Sequence, residues 1–241
     1  MPLISVIVPV YNHADALVST AKSIIGQTYR PLEIIIVNDG STDAFGAAGE
    51  EVQRLGKLAG VDTKIIQQAN SGGAAARNRG FGASQGEFVI FWDADTVAVP
   101  AMLARMADRL AAVPSASYVY SRFKVGWKTM RLQPFNPDDL RRVNYIDTTS
   151  LIRRDAFAGF DESLRRFQDW DLWLTLLDTN KTGSFISEVL FTKKVTRPGI
   201  SRWLPSVAYR LPWKLPAVTA YREARRVIAQ KHHLPPEDSA M

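Results

Sequence analysis

The chain has 241 residues, 46% of them hydrophobic, and a formal net charge of +6 at neutral pH. This composition is typical of one large soluble domain, and the lack of cysteine excludes disulfides, thiolate metal sites and cysteine nucleophiles. No window reaches the roughly 18 uninterrupted apolar residues that span a bilayer. The first residues also lack the features of a secretory signal, so we expect a cytoplasmic protein.

Strand and helix patterns alternate over the first half of the chain. Strands are predicted at 4–8, 32–37, 63–67 and 88–92, and helices at 16–27, 42–58, 74–85 and 100–112. We expect Ser41 or Thr42 to cap the second of these helices. Repeated strand–helix–strand units predict a parallel sheet with helices on both faces.

The second half is less regular. Strands are predicted at 117–125, 145–152 and 185–195, a loop and helix at 134–142, and a further helix at 168–177. This half contains no internal repeat and no low-complexity run.

Polar residues follow each of the first four predicted strands. They are Tyr11 and Asn12, then Asp39, then Asn70, and finally Asp93 and Asp95. In parallel sheets ligands bind beyond the carboxyl ends of the strands. The sequence therefore predicts one site at this edge of the sheet.

Asp93-Ala94-Asp95 ends an apolar strand with two carboxylates one residue apart. Because desolvating unpaired charge is costly, such a pair indicates a nearby cation. A divalent metal held by oxygen ligands would fit, and a metal in turn suggests phosphate. The alternative is a solvated acidic turn.

Two common nucleotide-binding motifs are absent. No G-x-G-x-x-G follows the first strand, which argues against a dinucleotide enzyme, and no G-x-x-x-x-G-K-[ST] of a P-loop NTPase is present.

Several spaced motifs in order are similar to those of the family 2 glycosyltransferases. They are Ser5–Asn12, Gln27–Tyr29, Glu33–Asp43, Asn70–Gly73, Ala76–Asn78 with Gly80, Gly86–Phe88, Asp93–Asp95, Gly159–Glu162 and Asp169–Trp173. Over residues 3–200 the chain resembles this family and its GT-A fold. The resemblance implies an α/β fold: a single nucleotide-diphospho-sugar transferase domain with a mostly parallel central sheet flanked by helices. It would comprise a nucleotide-binding half at 1–115 and an acceptor-binding half at 116–200, followed by a basic aromatic extension at 201–241.

The resemblance also implies roles for individual residues in donor binding. Pro9, Tyr11 and Asn12 would line the nucleoside pocket, with Tyr11 packing on the base. Asp39 would accept a hydrogen bond from a base N–H, which favours uracil or a similar ring.

Five further residues would complete the expected site. Arg77 would contact the base or offset phosphate charge, Asp93 would hold ribose or orient the metal, and Asp95 would ligate Mg²⁺ or Mn²⁺. Asn70 and Ala94 belong to the same expected set. Tyr11 as ordinary packing, Arg77 as a surface residue and Asp39 as a turn former remain the alternatives.

Asp169 is the candidate general base, since an inverting transfer needs a carboxylate to take the acceptor hydroxyl proton. The family often has Glu-Asp here, whereas this chain has Gln168 before Asp169. Asp171 is the rival, and on a helix it points away from Asp169. A role for Asp169 as a helix cap stays open. Thr96 is a second departure, because many members carry a further Asp there.

The C-terminal stretch mixes basic and aromatic residues. Trp203, Tyr209 and Trp213 are interleaved with Arg202, Arg210 and Lys214, and a basic helix is predicted at 222–231. This pattern suits either a lid packed on the core or a peripheral contact with an anionic membrane surface at its inner face. Some relatives carry a histidine beside the diphosphate, whereas this chain has none near Arg197–Ser201. Arg197 or Arg202 could supply the positive charge there instead.

The sequence thus predicts a metal-dependent inverting glycosyltransferase. The donor would be a nucleotide-diphosphate sugar, a UDP-sugar by preference, and the acceptor a hydroxyl on a glycan or lipid-linked glycan, as in cell-surface polysaccharide synthesis. The alternatives are a non-catalytic nucleotide-sugar or glycan-binding module of the same fold, and a membrane or nucleic-acid binder. No RNA-recognition signature is visible, so we expect no nucleic-acid partner.

Overall fold

The computed structural model describes residues 1–194 and 216–234. The helices are α1 (Ala14–Ile25), α2 (Phe45–Ala59), α3 (Gly73–Ala83), α4 (Met102–Ala112), α5 (Pro137–Arg142), α6 (Gln168–Asp178) and α7 (Pro216–Lys231). The strands are β1 (Ile4–Val10), β2 (Leu32–Asp39), β3 (Asp62–Gln68), β4 (Phe88–Phe91), β5 (Thr96–Ala98), β6 (Ala116–Val125), β7 (Lys128–Thr129), β8 (Leu151–Arg153) and β9 (Thr182–Lys193).

All nine of these strands belong to one sheet, in the order β3-β2-β1-β4-β8-β6-β9-β5, with β7 paired to β6. Strands β3, β2, β1 and β4 are parallel, as the strand–helix pattern predicts. Strand β8 is antiparallel to both β4 and β6, whereas β9 runs parallel to β6. The sheet is therefore parallel in the first half of the chain and mixed in the second.

The burial of β2 explains why the first half forms a parallel sheet. All eight residues of this strand are buried, which is typical of a strand covered on both faces by helices.

Helix α3 lies close against β1 because it carries Gly80. A Cβ added at Gly80 would lie 2.4 Å from Cγ2 of Ile7, so a larger side chain would push the helix away from the sheet.

Two local predictions are wrong. Helix α2 begins at Phe45 and its N-cap is Ala44, so neither Ser41 nor Thr42 caps it. Those two residues instead hydrogen-bond with Asn12 of the neighbouring loop. The strand predicted at 145–152 is mostly loop, and only Leu151–Arg153 forms β8.

Helix α7 packs on α6 and closes this end of the protein. Ile228 is fully buried, and the guanidinium of Arg225 lies 5.2 Å from the ring centroid of Trp170. The rings of Tyr221 and Phe167 meet edge to face at 5.1 Å. Helix α7 therefore packs on α6, and the choice between a lid and a membrane contact for the whole extension stays a prediction. Trp203, Tyr209 and Trp213 lie outside the described residues, and within 1–194 and 216–234 no helix is long and apolar enough to span a bilayer.

Charged residues at the end of α7 fasten it to α6. His232 places Nε2 at 2.8 Å from Asp171 and Nδ1 at 2.8 Å from Asp178. Lys231 contacts Asp171 at 2.8 Å and Asp161 at 2.7 Å. Because both ring nitrogens of His232 face carboxylates, both must donate, and the imidazole is held as its cation. Burial opposes this charge, but the two carboxylates raise the pKa of His232 above its usual value.

This arrangement predicts a pH-dependent contribution to stability. Because the pKa of His232 is higher in the folded protein than in the unfolded chain, its charged contacts stabilise the fold fully at a pH below the unfolded-state pKa, near 6.5. This stabilisation is lost as the pH rises through the folded-state pKa. We expect wild type to melt above His232→Gln by about 2–4 °C at pH 6, because each kcal/mol shifts the melting temperature by roughly that amount in a protein of this size. The difference should shrink by pH 9. An equal difference at both pH values, measured by differential scanning calorimetry, would contradict the charged role of His232.

Candidate active site

The carboxyl ends of the first parallel strands meet at one edge, and the predicted site residues lie there. In the strand register Val10 of β1 pairs with Asn38, and Asp39 of β2 pairs with Gln68 of β3. The backbone N–H of Trp92, just after β4, donates to the carbonyl of Ile7 at 2.8 Å. Loops after these strands therefore open on a common side of the molecule.

The loop after β1 carries an exposed tyrosine. Tyr11 is 48% exposed, and Pro9, within β1, is half-buried. Asn12 has a left-handed backbone with φ of 55° and accepts a hydrogen bond from the Thr42 N–H at 2.8 Å. Its own N–H donates to Oγ of Ser41 at 3.0 Å. Asn12 thus fixes this loop against the loop after β2 and leaves the Tyr11 ring available to a ligand.

Asp39 is buried, with 3% exposure, and organises the loop after β3. One carboxylate oxygen accepts from the Ser71 N–H at 2.8 Å and from Nε2 of Gln68 at 2.8 Å. The other accepts from the Gly72 N–H at 2.9 Å. A carboxylate has about four acceptor positions, so one position on the second oxygen is left for a further donor.

Gly40 allows the loops after β2 and β3 to touch. It has a left-handed backbone with φ of +72°, and an added Cβ would lie 2.8 Å from the Asn70 backbone nitrogen. The Asn70 side chain is exposed at this edge. Asp39 and Gly40 therefore do more than form a turn. The Asp39 carboxylate binds the loop after β3, and Gly40 leaves room for that loop to approach.

Asp93 is held between two cations. Arg77 of α3 donates from Nη2 to one carboxylate oxygen at 2.9 Å, and Nζ of Lys193, the last residue of β9, lies 2.8 Å from the other. Burial alone would raise the pKa of Asp93, but Lys193 and Arg77 hold it well below its usual range. Arg77 also donates from Nη1 to Oε1 of Gln168 at 3.1 Å. The Arg77 guanidinium is consequently tied to Asp93 and Gln168, and its assignment to the donor site stays a prediction.

Asp95 differs from Asp93, because its side chain has no ion pair with any residue in 1–194 or 216–234. Burial and the charge of Asp93 raise the pKa of Asp95, while Lys193 and His13 act in the opposite direction. Between the two acids, the carbonyl of the buried Ala94 accepts from Oγ1 of Thr20 at 2.7 Å and ties this turn to α1. The turn is thus fixed, and among the described residues only Asp93 of its two carboxylates is neutralised by an ion pair.

The donor set fits a divalent metal that is only partly held by protein. Within the described ranges no group of three His, Asp or Glu side chains could hold a metal by itself. Asp95 offers a carboxylate that forms no ion pair in the described part of the chain, a hard oxygen ligand that Mg²⁺ and Mn²⁺ accept. Mg²⁺ in particular is usually bound by one or two carboxylates together with water and substrate phosphates. Asp95 is therefore the residue that would hold the metal here.

Asp169 lies in the first turn of α6, and Phe167 is the N-cap residue of that helix. Its carboxylate accepts from Nδ2 of Asn144 at 2.7 Å. Burial raises the pKa of Asp169, and the charge of Asp147 adds to this effect, whereas the Asn144 hydrogen bond opposes it. Such a carboxylate is better suited to accept a proton than an exposed one.

Asp171, the rival candidate, serves another purpose. Its side chain is 3% exposed and both its partners, Lys231 and His232, come from the C-terminal end of the chain. This carboxylate fastens α7 to α6, whereas Asp169 faces Asn144.

Four functional candidates escaped the sequence reasoning: Lys193, Asp147, Asn144 and His13. Lys193 lies 2.6 Å from Oδ2 of Asp147 as well as beside Asp93. His13 is near enough to Asp95 to lower the pKa of that acid. Only His13 had a usable signal, its place directly after Tyr11 and Asn12. The other three come from parts of the chain distant in sequence, and only the fold brings them to the β4 edge.

The chain has the mixed α/β architecture of the GT-A transferase fold, with the acidic turn of Asp93 and Asp95 just beyond β4. A model of the family "Glycosyl transferase family 2" matches residues 5–166, so the chain belongs to this family. Staphylococcus aureus TarS in complex with UDP-GlcNAc has a similar fold, with a TM-score of 0.71 and 18% identity, over 100% of this chain and 69% of that one. The mannosyltransferase PcManGT of Pyrobaculum calidifontis, in complex with GDP-Man and Mn²⁺, has a TM-score of 0.66 and 20% identity over 96% and 71% of the two chains.

Curated relatives carry glycosyltransferase names. An uncharacterised glycosyltransferase of Rickettsia conorii is 28% identical over 72% of this chain and 31% of its own length. The Haemophilus influenzae relative, also uncharacterised, is 38% identical over 64% of this chain and 52% of its own. Glycosyltransferase GlyA of Streptococcus pneumoniae is 46% identical over 38% of this chain and 13% of its own. The matched part of the chain thus spans between 13% and 52% of the length of these three relatives.

Proposed function

We propose that the protein transfers a sugar, with inversion, from a nucleotide-diphosphate donor to a hydroxyl of a glycan or lipid-linked glycan. A UDP-sugar is the proposed donor, and synthesis of a cell-surface polysaccharide is the proposed context. The observation that carries the proposal is the neutralised Asp93 beside Asp95, which has no ion pair within residues 1–194 and 216–234, at the same edge of the sheet as the half-buried Asp169. A nucleotide diphosphate would lie against Asp93 and Asp95, and the acceptor hydroxyl would lie between the donor sugar and Asp169.

The nucleoside end of the donor is assigned to the loops after β1 and β2. Tyr11 offers an exposed ring for stacking on a base, and Asp39 keeps one acceptor position for a base N–H. Uracil offers a single ring N–H, which matches one free acceptor. Pro9, Asn12 and Asn70 line the same loops.

The diphosphate end is assigned to the turn after β4. Asp93, held by Arg77 and Lys193, is proposed to bind the ribose, and Asp95 to hold the metal with water and diphosphate oxygens. A bound Mg²⁺ or Mn²⁺ would stabilise the charge that develops on the diphosphate. Arg77 would add positive charge on the same side.

Asp169 is proposed to take the proton of the acceptor hydroxyl. The acceptor oxygen then forms a bond to the anomeric carbon, and the bond between that carbon and the diphosphate oxygen breaks on the opposite face. The electron pair leaves with the nucleoside diphosphate. Asn144 keeps the Asp169 carboxylate oriented through its 2.7 Å hydrogen bond.

The acceptor side carries an exposed aromatic residue. Trp127, in the β6–β7 hairpin, is 92% exposed, and the N–H of the preceding Gly126 donates to the carbonyl of Lys193 at 2.9 Å. The indole therefore protrudes near the residue that contacts Asp93. A flat apolar ring with a polar edge suits the face of a sugar, which supports a glycan acceptor. Contact with an anionic membrane remains a prediction, and co-flotation with anionic liposomes at low salt tests it.

A thermal-shift screen tests donor binding. We expect UDP-sugars with Mn²⁺ to raise the melting temperature by about 5–10 °C at 100 times the dissociation constant, the effect of about 2.7 kcal/mol in a chain of this size. GDP-sugars should shift it less, and Tyr11→Ala should reduce the UDP-sugar shift without lowering the melting point of the ligand-free protein. No shift with any nucleotide sugar would contradict the proposal. Binding without any release of UDP, with or without acceptors, would identify the non-catalytic module instead.

A further inference from the structure

Lys193 joins two parts of the candidate site that are far apart in sequence. It ends β9 and pairs in the strand register with Thr96, the residue after Asp95. Its Nζ lies 2.8 Å from Asp93 and 2.6 Å from Asp147, and its side chain is only 19% exposed. The same ammonium lies 5.9 Å from the ring centroid of Phe123, which shields it on another side.

Holding the strands together does not require this lysine. Strand β9 is already paired along its length with β6 and, near Lys193, with β5. A poorly solvated ion pair seldom adds stability over an apolar pair of similar volume, because desolvation offsets the attraction. The charge of Lys193 is therefore better explained by a role in the candidate site than by a role in holding the sheet together.

The two carboxylates depend on Lys193 to different degrees. Asp93 has a second cation, Arg77, whereas Lys193 is the one ion-pair partner of Asp147 within the described ranges. Asp147 belongs to a loop that packs on α6, where Asn144 donates to Asp169 at 2.7 Å and the carbonyl of Ile146 accepts from Nε1 of Trp173 at 2.9 Å. From this loop the charge of Asp147 raises the pKa of Asp169, and the charge of Lys193 lowers it. Arg77 reaches this region through Gln168, the neighbour of Asp169. By pairing with Asp147, Lys193 thus reduces the negative charge that acts on the Asp169 carboxylate.

We propose that Lys193 is a positioning residue for the general base: by neutralising Asp147, it keeps the neighbouring Asp169 ionised and able to accept the acceptor proton. This inference rests on the proposed function and deepens it. This role is separate from the contact of Lys193 with Asp93 on the donor side, because here Lys193 acts through Asp147. Lys193 itself does not touch the acceptor.

The pH dependence of turnover tests this inference. UDP release would be followed from pH 5 to 9 with the donor that gives the largest thermal shift. In Lys193→Met the unpaired Asp147 raises the pKa of Asp169, so the acidic limb of kcat should move up by about 0.5–1 pH unit. Asp147→Asn removes the negative charge that repels Asp169, so the acidic limb of its kcat–pH profile should move to lower pH. Lys193→Arg keeps the charge and should retain the wild-type limb.

Lys194→Met is the matched control. Its Nζ contacts Oγ of Ser19 at 2.8 Å and no carboxylate of the site, so its limb should match wild type. If Lys193→Met fails to fold, Asp147→Asn decides, because the inference requires a downward shift there. The inference would be overturned if the acidic limb of the kcat–pH profile did not shift in Asp147→Asn, or in a folded Lys193→Met. The proposed function would still stand in that case, provided that the wild-type protein is active. A wild-type protein that releases no UDP from any donor would overturn both.

Discussion

Asp95→Ala is expected to lower the rate of transfer by about three orders of magnitude, because a metal ligand that stabilises the leaving diphosphate contributes several kcal/mol. Asp95 has the one carboxylate of the acidic turn that forms no ion pair among the described residues, so no other group of the turn can replace it without breaking the contacts of Asp93. Initial rates of UDP release at saturating donor and Mn²⁺ measure the effect. Wild type in EDTA should fall to a similar level and recover when Mn²⁺ is added back.

Asp108→Ala provides the control for the loss of a carboxylate. Asp108 is exposed on α4 and takes no part in the candidate site, so this variant should keep the wild-type rate. Full activity of Asp95→Ala, or of wild type in excess EDTA, would show that the metal assignment is wrong. A loss of rate in Asp95→Ala together with a large drop in melting temperature would point to a structural role instead.

Asp169→Asn is expected to lower kcat by about 10²–10⁴-fold, the usual contribution of a general base. The substitution keeps the size of the side chain, and nothing in the proposal places Asp169 against the nucleotide. The dissociation constant for UDP, measured by calorimetry with Mn²⁺, should therefore stay within about twofold of wild type. A wild-type kcat in this variant would exclude Asp169 as the base.

Asp171→Asn separates the two candidate acids. Removing one partner of a buried ion pair leaves Lys231 and His232 without their shared carboxylate, so the melting temperature should fall. The folded fraction should keep a kcat close to wild type, since Asp171 faces α7. The reverse pattern, a stable protein with a large loss of kcat, would transfer the role of base to Asp171.

Much of the first half could be predicted from local pattern. The apolar runs that became β1, β2 and β4 are short, rich in β-branched or aromatic residues and fully or almost fully buried, so their pattern admits few other structures. The cap of α2 could not be predicted in this way. Ser41 and Thr42 have good capping side chains, but Asn12 from a distant loop takes their hydrogen-bonding groups.

The second half resisted prediction for a related reason. Tyr145 lies next to the buried side chains of β6, where its ring meets Tyr120 at 6.0 Å between centroids, and its segment has the apolar pattern of a strand. Apolar spacing reports burial, and a loop that crosses the core is buried as well. Only the hydrogen bonds with β4 and β6 show that the strand is limited to Leu151–Arg153.

The sequence by itself determined the parallel half of the sheet, the edge at which the polar residues gather, and the acidic turn of Asp93 and Asp95. These features follow from short-range periodicity and from the rule that the ends of parallel strands meet. The tertiary structure alone decided the charge state of that turn. Lys193 and Arg77 neutralise Asp93, whereas Asp95 has no ion pair among residues 1–194 and 216–234. Lys231 and His232 pair with Asp171, which leaves Asp169 as the proposed base. Electrostatic roles depend on distances in space, and residues separated by up to a hundred positions in the chain set those distances.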